Sequence, residues 1–217
     1  MIEAVVFDLD GVLLQTEELW DEVRKEVARE HGGRYGPEAQ RAMMGMSSLE
    51  WSRYMHEAVG VPKPPEEISA EVVRRLAARY RQKLPLLPGA VEAVRRVAAS
   101  WPLGLASSSN RPLIELALEL SGLADLFGAV VSSEEVSRGK PAPDVYLEAA
   151  RRLGVAAQRG AAVEDSHSGI RSAKAAGMRV VAIPNPTFAP GDEALAEADV
   201  VLRSLAELTP EAIAGST

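Results

Sequence analysis

The chain of 217 residues has no cysteine. That excludes a disulfide framework, a thiolate metal site and a thiol nucleophile. Positive charge is in deficit: 24 Lys and Arg stand against 31 Asp and Glu, a net charge of −7. Neither nucleic acid nor an anionic membrane is then expected as the main partner, and a phosphate ligand would need positive charge concentrated at its own site. No apolar run approaches the roughly 20 residues of a membrane span. Met1 leads directly into a strand-like stretch rather than a basic segment followed by an apolar one, so no membrane partner and a cytoplasmic location are the default expectations. Internal repeats and low-complexity segments are also missing. What is present is ordinary for a soluble protein, 47% hydrophobic and 25% charged. The length suits one domain, or a domain with a moderate insertion, and allows a sizeable core. A monomer is the default expectation.

Ala4 to Leu9, in AVVFDLDGVLLQTE, is a mostly apolar, β-favouring run. It predicts a strand buried on both faces. Asp8 and Asp10 are two residues apart, so on an extended backbone both side chains point to the same side, and Gly11 then frees the chain to turn. Two carboxylates leaving a buried strand need compensation. Hard oxygen ligands suit Mg²⁺, which takes one or two protein carboxylates and leaves other positions to water and phosphate. Taken alone, the pair also reads as turn residues, where Asp is common.

After Gly11 the pattern turns helical. Thr16 is placed to cap a helix with Glu17 and Glu18 in its first turn, and Leu19, Val23 and Val27 form one apolar stripe on it. Pro37 opens a second helix that Gly45 ends. Ser47 to Glu50 has capping-box form and opens a third, to about Gly60. After the stiff connector Pro62 to Pro65, a fourth runs from about Glu66 to Leu84. From Gly89 onward the rhythm is α/β: helices at about 89–100, 110–121, 144–153 and 168–176, with strands at 102–107, 129–132, 161–163, 180–183 and 199–202. Apolar strands alternating with helices predict a parallel sheet covered on both faces, a three-layer α/β/α Rossmann-like core. Residues 15–84 read as an all-helical cap domain inserted into a core made of 1–14 and 85–217, through linkers at 13–15 and 84–88. The tail from Ala214 is expected to be mobile.

In open α/β sheets ligands sit beyond the carboxyl ends of the strands. Four polar clusters fall there. They are Asp8/Asp10, Ser107-Ser108-Ser109-Asn110, Gly139-Lys140-Pro141-Ala142-Pro143, and Glu164-Asp165-Ser166. Each has an ordinary explanation: a helix cap for the serines, a solvated loop lysine, first-turn acids for Glu164 and Asp165. Together they supply a metal site, a phosphate grip at a helix start and a cation on one edge of one sheet.

The set resembles the four motifs of the haloacid dehalogenase superfamily, in its β-phosphoglucomutase-like phosphatase branch. FDLDGVLLQTE is similar to the first motif, Ser107 to the second, Lys140 in GKPAPDVY to the third and Glu164-Asp165 in VEDSHSGI to the fourth. The resemblance covers nearly the whole chain, and the helical insertion lies where that branch carries its cap. It implies that Asp8 is a nucleophile forming an aspartyl phosphate, and that Asp10 is the general acid/base whose backbone carbonyl also binds Mg²⁺. It implies that Ser107, Ser108 and Lys140 hold the phosphoryl group and that Asp8, Asp10, Glu164 and Asp165 make the metal site. The expected partner is a small phosphorylated metabolite.

Within the superfamily, dehalogenases and phosphonatases lack the second aspartate, which Asp10 supplies here. The mutases carry a cap histidine where this chain has Trp20, and a cap-loop arginine where Gly45-Met46-Ser47-Ser48 ends in serine. Gln15 replaces an acid common in the family. Simple hydrolysis is therefore favoured over a sugar phosphomutase. Gln15, Met46, Ser47, Ser48 and Asn110 are candidate substrate contacts. Met43, Met44, Met46 and Met55 read as an adaptable lip over the substrate or as packing. His167 reads as a helix-start residue facing water, with substrate contact the other reading, and His31 and His56 fit no ligand pattern. A receiver-type signalling module would also gather acids, a hydroxyl and a lysine at strand ends, but such modules are shorter, have no insertion and place the acceptor on a later strand.

Overall fold

A computed structural model describes residues 1–185 and 190–215. Its centre is a sheet of six parallel strands: β1 (Ala4–Phe7), β2 (Leu103–Ser107), β3 (Phe127–Ser132), β4 (Gly160–Glu164), β5 (Arg179–Ala182) and β6 (Val200–Val201). The order is β3-β2-β1-β4-β5-β6. The chain leaves β1 toward one edge and returns to β4 on the other side, so the switch point lies between β1 and β4. A crevice opens at such a point beyond the strand ends.

Successive residues of a strand face opposite sides, and β1 splits accordingly. Val5 and Phe7 join one apolar cluster, Val6 the other. The first cluster takes in α5 (Ala90–Ala98) through Ala93, Val94 and Val97, and α6 (Arg111–Ser121) through Leu113, Ile114 and Ala117. The second takes in α7 (Asp144–Leu153) through Val145 and Tyr146, α8 (His167–Ala175) through Ile170 and Ala173, and α9 (Asp192–Glu197) through Ala194. The three-layer expectation holds.

Between β1 and β2 lie α1 (Glu17–Glu30), α2 (Pro37–Met43), α3 (Ser48–Glu57) and α4 (Pro65–Gln82). Ile68, Val72, Leu76 and Tyr80 bury one side of α4. Outward charges knit the helices: Arg79 binds Glu26 at 2.9 Å, Lys63 binds Glu71 at 2.8 Å, and Arg75 joins Glu30 and Glu71. The two linkers run side by side, with Gln15 N–H donating to Pro85 O at 2.8 Å and Leu87 N–H to Leu13 O at 2.9 Å. Among the described residues no helix is long and apolar enough to cross a membrane.

Three details differ from the sequence reading. The first strand ends at Phe7 rather than Leu9, so Asp8 and Asp10 stand in the turn beyond it. Thr16 starts α1 but makes no side-chain cap; its hydroxyl donates to Asp10 instead. Short helices at α9 and α10 (Pro210–Ala214) occupy stretches with no helical expectation. The expected mobile tail begins at the end of α10, and its last two residues, 216 and 217, lie outside the described residues.

Phe7 is fully buried and meets Phe127 edge to face at 6.2 Å. Phe7→Ala should cost roughly 3–5 kcal/mol in urea unfolding. A loss below about 1 kcal/mol would mean that this face of the sheet is not close-packed.

Candidate active site

The carboxyl ends of β1, β2 and β4, and the loop after β3, converge on one cavity of about 380 Å³. Its wall includes Asp8, Asp10, Ser108, Lys140 and Asp165 from the core, and Met44 and Gly45 from the inserted helices.

Lys140 sits at the centre of the charges. Its Nζ is 2.8 Å from Asp8 Oδ1 and 2.6 Å from Glu164 Oε1, and it lies 5.1 Å from the ring centroid of Tyr146. Tyr146 also donates its hydroxyl to Glu164 Oε1 at 2.7 Å. The other Glu164 oxygen accepts from the backbone N–H groups of Asp165 and Ser166 at 3.0 and 3.2 Å, and from Ser166 Oγ at 3.1 Å. Glu164 is thus saturated by protein donors. Two glycines make room for these carboxylates: a Cβ on Gly11 would overlap Asp165, and one on Gly169 would overlap Glu164.

Asp8, Glu164 and Asp165 bring carboxylate oxygens within 4.8 Å of one another. One ammonium therefore faces three buried carboxylates. Burial, reinforced by Glu164 and Asp10, pushes the Asp8 carboxyl up to about 7 against the pull of Lys140. Burial, then Glu164 and Asp8, raises Asp165 well above the usual carboxylate range. Burial alone would lower the Lys140 ammonium, but Asp8 and Glu164 hold it above its ordinary value. Asp8 Oδ1 is buried, and the Lys140 ammonium at 2.8 Å is its protein partner among the described residues. Three clustered carboxylates against one ammonium leave an excess of negative charge on all-oxygen donors, which a hard divalent cation relieves. The residues present fit a divalent metal ion.

Asp10 is held differently. Thr16 Oγ1 donates to its Oδ1 at 2.6 Å, and Ser109 Oγ donates to its Oδ2 at 2.6 Å, with Ser107 Oγ at 3.4 Å. Its carboxylate is not among the clustered metal-type oxygens. The two aspartates line one cavity but answer to different partners.

Ser107 is fully buried and accepts from Ser109 N–H at 3.0 Å. Ser108 lines the cavity, and so does His167, which is exposed at the start of α8. Met46 lines a smaller adjoining recess. The other candidate contacts lie elsewhere. Gln15 accepts from Asn185 at 3.1 Å in a separate cleft. Ser47 is bonded to Glu50 in the expected capping box. Ser47 and Ser48 line a separate groove together with Gly139 and Asn110. Asn110 begins α6 without a side-chain cap; its amide bridges Ser69 of α4 at 3.3 Å and Glu134 at 2.8 Å, linking inserted helix to core. Met43 and Met55 are buried packing, while Met44 is exposed at the cavity.

Residues missed by the sequence reading are Thr16, which holds Asp10, Tyr146, which holds Glu164, and Glu17, which lines the cavity; Ser109 stands in the expected serine cluster, but the cluster does not signal its bond to Asp10. Each carries a local explanation, a cap, a first-turn acid or a core aromatic, that hides its second role.

Residues 5–183 match the family model described as haloacid dehalogenase-like hydrolase. Hexitol phosphatase B of Escherichia coli (strain K12) is 35% identical over 220 residues, covering 99% of this chain and 97% of that protein. The crystal structure of CbbY from Rhodobacter sphaeroides in complex with phosphate superposes with a TM-score of 0.87 at 30% identity, over 99% of this chain and all of that one. A beta-phosphoglucomutase from Clostridium difficile shares the fold, with a TM-score of 0.83 at 24% identity over 97% of this chain and 95% of that one.

The Asp8 environment sets a pH test on the protein with chelator present. Its carboxyl is raised in the folded chain, from 3.8 to about 7. The folded state then binds the proton more tightly than the unfolded state does. That contribution is present below pH 4 and is lost as pH rises through about 7. Asp8→Asn cannot ionise. It should match the parent in urea unfolding at low pH and exceed it at pH 8 by about 1–4 kcal/mol. A variant less stable than the parent at pH 8 would contradict the charge assignment.

Proposed function

This chain belongs to the haloacid dehalogenase-like hydrolases, and we propose that it is a Mg²⁺-dependent phosphomonoester hydrolase acting on a small phosphorylated metabolite through an aspartyl phosphate on Asp8. One observation carries the reading. The Asp8 carboxylate, ion-paired to a buried lysine at 2.8 Å, lines the same cavity as a second aspartate held by hydroxyls.

A carboxylate nucleophile divides one hard displacement into two easier ones. Asp8 attacks phosphorus and the alcohol leaves; water then attacks the acyl phosphate and returns Asp8. Asp10 protonates the departing alcohol and afterwards takes a proton from the attacking water. Its hydroxyl partners Thr16 and Ser109 hold it in place for both transfers. Negative charge spreads over the phosphoryl oxygens in the transition state. Lys140, Ser107 and the backbone at Ser108 answer that charge. Asp8, Asp165 and the Asp10 carbonyl would hold Mg²⁺, with Glu164 behind them, and the bound ion supplies further positive charge against the phosphoryl oxygens.

Hydrolysis is favoured over mutase chemistry. Trp20 stands at the mutases' histidine position, and Ser48 is buried toward another groove. Neither offers a group to retain a bisphosphate. The named activity of the E. coli relative, a hexitol phosphatase, supports a small phosphorylated metabolite as substrate. The place of work is the cytoplasm and the working form a monomer.

The test is phosphate release from a panel of sugar phosphates, phosphoglycolate, nucleotides and p-nitrophenyl phosphate, with Mg²⁺ and with chelator. Asp8→Asn should lose turnover by roughly 10³-fold or more while remaining folded. Near-normal release by that variant overturns the mechanism.

Residues 15–84 act as a cap that opens for exchange and closes to exclude bulk water. The paired linkers support a hinge there, and the Asn110–Ser69 bond is a contact that opening breaks. With no native cysteine to interfere, dyes on cysteines introduced at Glu57 and Glu119 should report two distances that merge toward one when a phosphate analogue binds. One unchanging distance with and without the analogue rules the motion out.

A further inference from the structure

Among the described residues Lys140 and Arg24 are the buried cations, and Arg24 has no part in the chemistry above. It lies on α1, one turn beyond Trp20, and is 8% exposed. Its guanidinium carbon is 4.7 Å from the ring centroid of Trp20 and 4.9 Å from that of Trp51. The two indoles meet each other at 5.7 Å and 65°. Nε is buried without a partner, and no ion pair joins the guanidinium to a carboxylate among the described residues. Cation–π contact offsets only part of the cost of burying such a charge.

The guanidinium lines a recess of about 60 Å³ that shares Asp10, Glu17, Gly45 and Ser108 with the reaction cavity. A recess that adjoins the cavity in this way is within reach of a second group on the molecule whose phosphate meets Asp8. We infer that this recess binds a second oxyanion of the substrate, a carboxylate, with Arg24 as its receptor. The inference rests on the phosphatase reading of the adjoining cavity.

The chemistry favours a carboxylate over two other occupants. A neutral polyol would bring no charge to the guanidinium, which Glu17, Asp21 and Asp10 attract without any of them forming an ion pair with it among the described residues. A second phosphate would bring a larger charge against Asp10 and Glu17, and repulsion grows with that charge. A carboxylate is singly charged, planar and matched to the guanidinium fork. Contact with Trp20 and Trp51 restrains the guanidinium before the ligand arrives, so less ordering remains to be done on binding. Trp20 is thereby a positioning residue, and its departure from the mutase pattern acquires a reason.

The experiment uses phosphomonoesters paired so that one ends in a carboxylate and the other in CH₂OH. The pairs are phosphoglycolate with 2-hydroxyethyl phosphate, 3-phosphoglycerate with glycerol 3-phosphate, and 4-phosphoerythronate with erythritol 4-phosphate. Binding is read by tryptophan fluorescence in the full-length Asp8→Asn protein with Mg²⁺, because two of the three tryptophans clamp Arg24. The acid should bind at least about tenfold more tightly than its alcohol in the pair whose length spans both sites. Adding Arg24→Met should bring that ratio to about one, and adding Arg24→Lys should leave an intermediate ratio, since a point charge lacks the fork. The lysine variant keeps the test open if the methionine variant does not fold. The inference is overturned by alcohols binding as tightly as acids at every length, by a ratio that Arg24→Met leaves unchanged, or by fructose 1,6-bisphosphate binding more tightly than every acid. Turnover of p-nitrophenyl phosphate by the parent protein reports the phosphatase reading separately, because binding is measured without turnover.

Discussion

The buried Lys140 ammonium is the interaction on which the rest of the site depends. It is 6% exposed and stands between Asp8 and Glu164 at 2.8 and 2.6 Å. Without it, three carboxylates would share one dry pocket, and their mutual repulsion would protonate or expel them. Much nearby sequence follows from that. Tyr146 and the Ser166 turn saturate Glu164 so that it stays in place. Gly11 and Gly169 are glycines because carboxylates occupy the space where their Cβ atoms would be. Such a network is not a source of stability, because desolvating its charges costs as much as their attraction returns. Stability comes from the two apolar layers of the sheet, and the charges are carried at their edge.

Asp8 and Asp10 show how one short turn makes two different carboxylates. Asp8 faces the ammonium and the other acids; Asp10 faces hydroxyls from the start of α1 and the end of β2. Separate environments give neighbouring acids separate roles. The Asp10 arrangement also ties the inserted helices to the sheet. Thr16 comes from their first residues, and Asn110, one residue after Ser109, reaches Ser69 on α4. A displacement of those helices is therefore felt at the Asp10 carboxylate.

The fold was legible because its signals are local and periodic. Apolar strands alternate with amphipathic helices, and the acidic and hydroxyl clusters stand where strands end. The departures have a common cause: a side chain with a familiar local use can be recruited by a distant group. Thr16 and Asn110 sit at helix starts, as expected, yet spend their polar atoms on Asp10 and on Ser69 and Glu134. Gln15 and Ser48 are close to the site in sequence but face other clefts, because strand end and loop turn away from the cavity. Tyr146 reads as core and is core, with its hydroxyl alone entering the charge network. The helices α9 and α10 are too short to carry a periodic signal.

The two buried cations are built on opposite principles. Lys140 is paired on two sides by acids of the chain itself, so its charge is already committed before substrate arrives. Such a cation suits a group that every substrate carries. Arg24 lies against two indoles, and its buried Nε has no partner. Its hydrogen-bonding capacity is left open, and the cost of burying it is recovered only when a complementary group enters. Differential recovery of that kind is what discriminates one substrate from another. In the proposed reaction the common chemistry belongs to the sheet edge, where the chain completes its own charge network, and the selection to the inserted helices, where Arg24 keeps a buried Nε without a partner.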